Sequence, residues 1–134
     1  MPTIDEPMKI GKRPTGIIRT LPGQAKQYHF GSARDRMMRS YAALQQGLIE
    51  SIYIALAQKP KADVLHLYVL VGGEIVCRMN IASIEDGTDF ELKCWDGEVR
   101  RSPYWAVCTA PVEYPPAPIK MRGFQGFRYT EDLW

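Results

Sequence analysis

The chain has 134 residues, 46% of them apolar and 24% charged, with a formal net charge of +2. These ordinary globular values at single-domain length exclude wholesale disorder and leave enough surface to bury for one unstapled core. No apolar run approaches the roughly 18 residues of a membrane span, and the opening "MPTIDEPMKIGKR" lacks the apolar stretch of a secretory signal, so a cytoplasmic location is expected.

In chain order, "TGIIRTLPG" (15–23) reads as a short β-branched strand stopped by Pro22-Gly23. "QAKQYHFG" (24–31) is either the returning strand or a loop leading into a helix. Ser32 stands where an N-cap belongs, with Asp35 three residues on to meet the exposed amides. From there "ARDRMMRSYAALQQGLIESIYIALAQK" repeats Met37, Tyr41, Leu44, Leu48, Ile52 and Ala55 at helical spacing up to Pro60. Gly47 costs that helix about 1 kcal/mol, but the stripe keeps its phase across it, so one long helix is expected.

A dense β region follows. "DVLHLYVLVGGEIVCRMNIASI" predicts two strands around the turn Gly72-Gly73. The first is apolar on both faces and therefore central; the second alternates Ile75, Cys77, Met79 and Ile81 against Arg78 and Asn80. "EDGTD" (85–89) reads as a turn, Asp96-Gly97 as the centre of a second hairpin, and "YWAVCTAPV" as a further strand. Pro111, Pro115, Pro116 and Pro118 then impose an extended course, because proline cannot donate to a ladder. The expected fold is α+β: one long helix packed on an antiparallel meander sheet of four to six strands. Residues 1–134 form a single domain in this reading, with an extended Pro-rich C-terminal tail from about 111–134.

Charge is unevenly spread. Residues 8–39 carry +7 from Lys9, Lys12, Arg13, Arg19, Lys26, Arg34, Arg36 and Arg39 against Asp35, whereas residues 40–134 sum to −3. A basic N-terminal face suits a polyanion or an acidic protein surface. Arg34, Arg36 and Arg39 begin the helix, where the N-terminal field already favours anions. Near the other end, "KMRGFQGFRYTEDLW" interleaves Lys120, Arg122 and Arg128 with Phe124, Phe127 and Tyr129, a pairing of phosphate contacts and stacking rings. It matches the RNA-recognition octapeptide only after deleting Gln125. Phe124 and Phe127, three apart, should point to opposite faces of a strand. An edge strand or wrapping tail whose rings plug the core explains the same segment.

Signals for catalysis are thin. Cys77, Cys94 and Cys108 form no C-x-x-C pair and lie in apolar runs, so they read as reduced core thiols. His66 lies in an apolar strand; His29 precedes the helix. No spacing marks a metal or cofactor site, and none is expected. The resulting expectation is a non-enzymatic binding module for a polyanion, foremost nucleic acid without strong base specificity. The alternatives are docking on an acidic protein surface, as an inhibitor or assembly subunit, and a small Cys/His-dependent enzyme. The tails also offer contacts for a second copy or a larger complex.

Overall fold

The computed structural model describes residues 13–21, 27–28, 31–93 and 97–134, with backbone alone at 27–28 and 31–36. In chain order the elements are β1 (Gly16–Thr20), β2 (Gln27–Tyr28), β3 (Gly31–Ser32), α1 (Ala33–Gln45), β4 (Ile52–Leu56) and β5 (His66–Val71). These are followed by β6 (Glu74–Asp86), β7 (Leu92–Lys93), β8 (Val99–Arg100), β9 (Tyr104–Glu113) and β10 (Phe127–Thr130). Six strands form one sheet in the order β10-β1-β5-β6-β9-β4, while β2-β3 and β7-β8 are two-stranded ribbons. β1 runs parallel to β5, and every other pairing is antiparallel.

This corrects the expected fold. The sheet is mixed and curled rather than an antiparallel meander, and the one helix among the described residues is short. The helix ends because Gly47 adopts φ +77°. Its N–H bonds the Leu44 carbonyl at 3.1 Å and the Leu48 N–H bonds the Ala43 carbonyl at 2.9 Å. That pair of bonds is a Schellman cap, which glycine forms without a Cβ penalty. Beyond it the chain enters β4, where Ile54 and Leu56 are buried at a spacing of two. The apolar stripe that crosses Gly47 in helical phase is coincidental: Leu48, one of its members, is 73% exposed.

The first strand of the Gly72-Gly73 hairpin is central, as its two apolar faces require: β5 pairs with β1 on one side and β6 on the other. Both turn glycines have positive φ, as a tight primed turn demands. The second strand departs from simple alternation. Leu70 pairs with Ile75 but Val69 pairs with Cys77, so Val76 is an extra residue. That bulge throws Ile75 onto the opposite face from Cys77 and Met79. Two more register shifts separate β6 and β9, between Arg78 and Asn80 and between Ile81 and Ser83. Bulges sharpen twist, and here the sheet curls until Arg19 of β1 reaches β4.

Each face has its own cover. Ile17, Leu67, Val69, Cys77, Met79 and Cys108 face Tyr41 and Leu44 of α1. The Val112 N–H donates to Gln45 Oε1 at 2.8 Å and holds the end of the helix to β9. On the other face, Ile18, Tyr68, Leu70 and Ile75 lie under Ile119, Met121, Phe124, Leu133 and Trp134. The Pro-rich stretch therefore leads into a segment that is both edge strand and core cover.

Two glycine substitutions separate strain from crowding. A Cβ at Gly47 meets nothing within 4 Å, so Gly47→Ala should cost only the left-handed backbone penalty, about 1–2 kcal/mol in chemical denaturation. At Gly87 a Cβ would collide with the Ser102 carbonyl oxygen and lie 2.7 Å from Trp105 Nε1. Gly87→Ala should therefore destabilise more than Gly47→Ala in the same assay.

Candidate functional site

Curling brings the two outer strands of the sheet toward each other without joining them. The seam is bridged by side chains. Arg19 Nε donates to the Ala55 carbonyl at 3.1 Å, and its Nη1 to the Thr20 carbonyl at 2.7 Å. The Lys61 backbone N–H donates to the Tyr129 hydroxyl at 2.6 Å. Outside these bridges lies a groove of about 430 Å³, between residues 57–61 that follow β4 and the turn 125–127 that opens β10. Gln58, Lys59 and Lys61 line one wall; Gln125, Phe127 and Tyr129 line the other.

The walls are placed by ordinary strand logic. Arg19 pairs with Phe127 and Ile17 with Tyr129, so both rings fall on the inner face of β10. Phe127 packs against the helix-side core, and Tyr129 stands edge-on to it with centroids 5.5 Å apart and planes at 89°. Tyr129 keeps 42% of its surface exposed. Lys59 and Lys61 are exposed on the facing loop. The Asp86 carboxyl lies within the electrostatic reach of Lys59; it is held below the usual carboxylate range chiefly by hydrogen bonds from Thr88, with Lys59 adding to the effect. Lys59 is thus partly offset.

The residues expected from sequence are dispersed. Lys9 and Lys12 lie outside the described residues. Arg34 and Arg36 fall on the first turn of α1, where the backbone alone is described, and Arg39 is exposed one turn on. Arg13 is exposed just before β1. Arg19 does not join an outward face. It is half-buried in the seam, and burial, with the nearby Arg100, lowers its pKa. In the tail, Lys120 pairs with Glu74 at 2.8 Å and Arg122 is exposed. Arg128 lies over the Phe124 ring, 4.2 Å from its centroid. Phe124 belongs to the tail-side core and Phe127 to the helix-side core. Strand alternation does not set this, because Phe124 precedes β10 and Gly126, at φ +73°, turns the chain between them. The structure brings Phe127 and Tyr129 together with Lys59 and Lys61. Those two lysines escape a reading of the sequence because "AQKPK" resembles the end of the long helix.

The two described thiols are enclosed. Cys77 and Cys108 are buried thiols. Burial pushes Cys77 up to about 12 and raises Cys108 further. A thiol held so far above neutrality supplies almost no thiolate. The Tyr41 hydroxyl between them is likewise raised by burial and has no hydrogen-bond partner among the described residues. Cys94 and His29 lie outside the described residues. His66 Nδ1 is 3.5 Å from Asp132 Oδ1, which also accepts a 2.6 Å bond from Thr15 Oγ1. The Thr15 bond holds the tail beside the start of β1, while buried His66 Nδ1 makes no hydrogen bond among the described residues. Among the described residues no group of three or more His, Cys, Asp or Glu is placed to hold a metal ion. No described helix is long and apolar enough to cross a membrane.

No family model, curated protein or solved structure matches this chain.

Burial makes a direct prediction for the thiols. Cys77 and Cys108 should resist alkylation by iodoacetamide at pH 8 in the folded protein and react once denaturant is added. Peptide mass mapping of each site reads the result.

Proposed function

We propose that the protein is a non-enzymatic binding module for a polyanion, foremost a nucleic-acid strand gripped through its phosphates in the seam groove. The supporting observation is the convergence of Lys59 and Lys61 on an exposed Tyr129, along a channel whose second wall is the basic-aromatic tail. Lysine ammonium groups attract phosphates wherever they fall, and a tyrosine face accepts any base. Contacts of that kind position a strand without reading its sequence. Arg122 on the tail, Arg13 before β1 and Arg39 on α1 are further exposed cations available to a long strand.

Docking on an acidic protein surface is the second reading, in which exposed cations meet its carboxylates and exposed Leu48, Leu65 and Tyr114 add apolar contact area. Catalysis through Cys77 or Cys108 has no support from their burial. Reduced, buried thiols favour a reducing compartment, and we assign the protein to the cytoplasm on that ground.

Fluorescence anisotropy with a labelled single-stranded oligonucleotide tests the reading. Log affinity should fall linearly with log salt, and Lys59→Ala with Lys61→Ala should make the slope shallower by about 0.7 for each phosphate no longer neutralised. The triple replacement Arg34→Ala, Arg36→Ala, Arg39→Ala should weaken binding further. Absence of binding, or binding indifferent to salt and to both lysines, would dismiss the nucleic-acid reading.

A further inference from the structure

The final segment lies on the rest of the chain as a separable arm. After Glu113 closes β9, residues 114–118 pair with no strand among the described residues, and Tyr114, Pro116, Ala117 and Pro118 are exposed. This joint holds three prolines, which keep it extended and unable to join a ladder. Beyond it the arm adheres continuously. The Ile75 N–H donates to the Ile119 carbonyl and the Met121 N–H to the Gly73 carbonyl, both at 3.0 Å. β10 then adds to β1, and the Leu133 N–H donates to the Tyr68 hydroxyl at 3.0 Å. Arg78 Nη1 donates to the Trp134 carbonyl at 2.6 Å, and its guanidinium lies 4.9 Å from the Trp134 ring centroid.

All of these contacts join the arm to the body of the fold. The face beneath the arm consists of Ile18, Tyr68, Leu70 and Ile75, each at most 4% exposed. Such a face is too apolar to stand bare in water. An arm that leaves must therefore be replaced, and the segment that reproduces every contact is the same segment of a second copy. Only the joint changes, and it is exposed and unpaired.

We propose that residues 119–134 exchange between two copies of this chain, each arm seating on the other's sheet to give a two-fold dimer. Arg78 then holds its own Glu113, bonded at 2.7 Å in the closed form, together with the second copy's Trp134. Because a tethered arm has an effective concentration in the millimolar range, the closed monomer prevails in dilute solution. Exchange becomes prominent when the protein is refolded at comparable concentration.

The experiment uses full-length chains carrying Cys94→Ser, one also Thr15→Cys and the other Asp132→Cys. Those two side chains meet at 2.6 Å in the closed form. After mixing, refolding near the millimolar range and oxidation, a band of doubled mass containing both altered peptides is expected. Yields no higher than those of a control pair, Thr15→Cys with Glu50→Cys, would overturn the proposal. As a second variant, deletion of residues 115–117 shortens the joint by about 10 Å and should double the mass in light scattering without changing circular dichroism. A folded monomer would also overturn it, and if the deletion does not fold, the disulfide experiment decides alone.

Discussion

A strand that is apolar on both sides must be covered twice, and β5 is such a strand. Leu67, Val69 and Val71 face the helix side, Tyr68 and Leu70 the other, all at 2% exposure or less. A helix of 13 residues has one stripe and serves one face. The second cover has to come from elsewhere in the chain, and the tail supplies it with five apolar side chains. That demand explains why a Pro-rich, charged C-terminal stretch is ordered against the sheet. It also explains why β10 lies beside β1, far from β9 in the strand order: the chain crosses the back of the sheet before it can pair again.

Curvature does the rest. Three register shifts on β6 bend the sheet enough to bring β1 within reach of β4, yet no ladder closes the gap. Closure rests on Arg19 and on the Lys61–Tyr129 bond. A seam closed by side chains leaves polar walls and solvent access where a ladder would leave neither, and the groove is the result. Its basic character is local, drawn from two loop lysines, and does not depend on the surplus of cations counted along residues 8–39.

Much of the strand structure is legible from the residues. Alternation and turn glycines place β5, β6 and their hairpin, whereas the opposite faces taken by Phe124 and Phe127 come from the turn at Gly126 and not from alternation along one strand. The helix reads too long because apolar residues at 44, 48, 52 and 55 satisfy helical spacing while those at 52, 54 and 56 satisfy strand spacing. The left-handed conformation of Gly47 decides between them, and it follows from the closure of the cap. Val76 carries no local mark of a bulge, since its extra position exists only relative to β5. The parallel pairing of β1 with β5 and the meeting of Lys59 and Lys61 with Tyr129 are likewise products of long-range assembly. Residue types announce the tail's chemistry; they do not announce its lysine partners.

β1 and β10 are antiparallel neighbours, with Gly16 opposite Thr130, and Thr15 Oγ1 touches the Asp132 carboxylate. The backbone thus enters the sheet at a point that its last strand comes back to, with only Leu133 and Trp134 beyond it, seated on the same face. A fold with that property can be spliced into an exposed loop of a host protein as a cassette, because its two junctions span no more than the stem of a turn. By the same geometry, a short linker from beyond Trp134 to residue 15 would close the chain, which could then be opened elsewhere with the six-stranded sheet and its cover left whole.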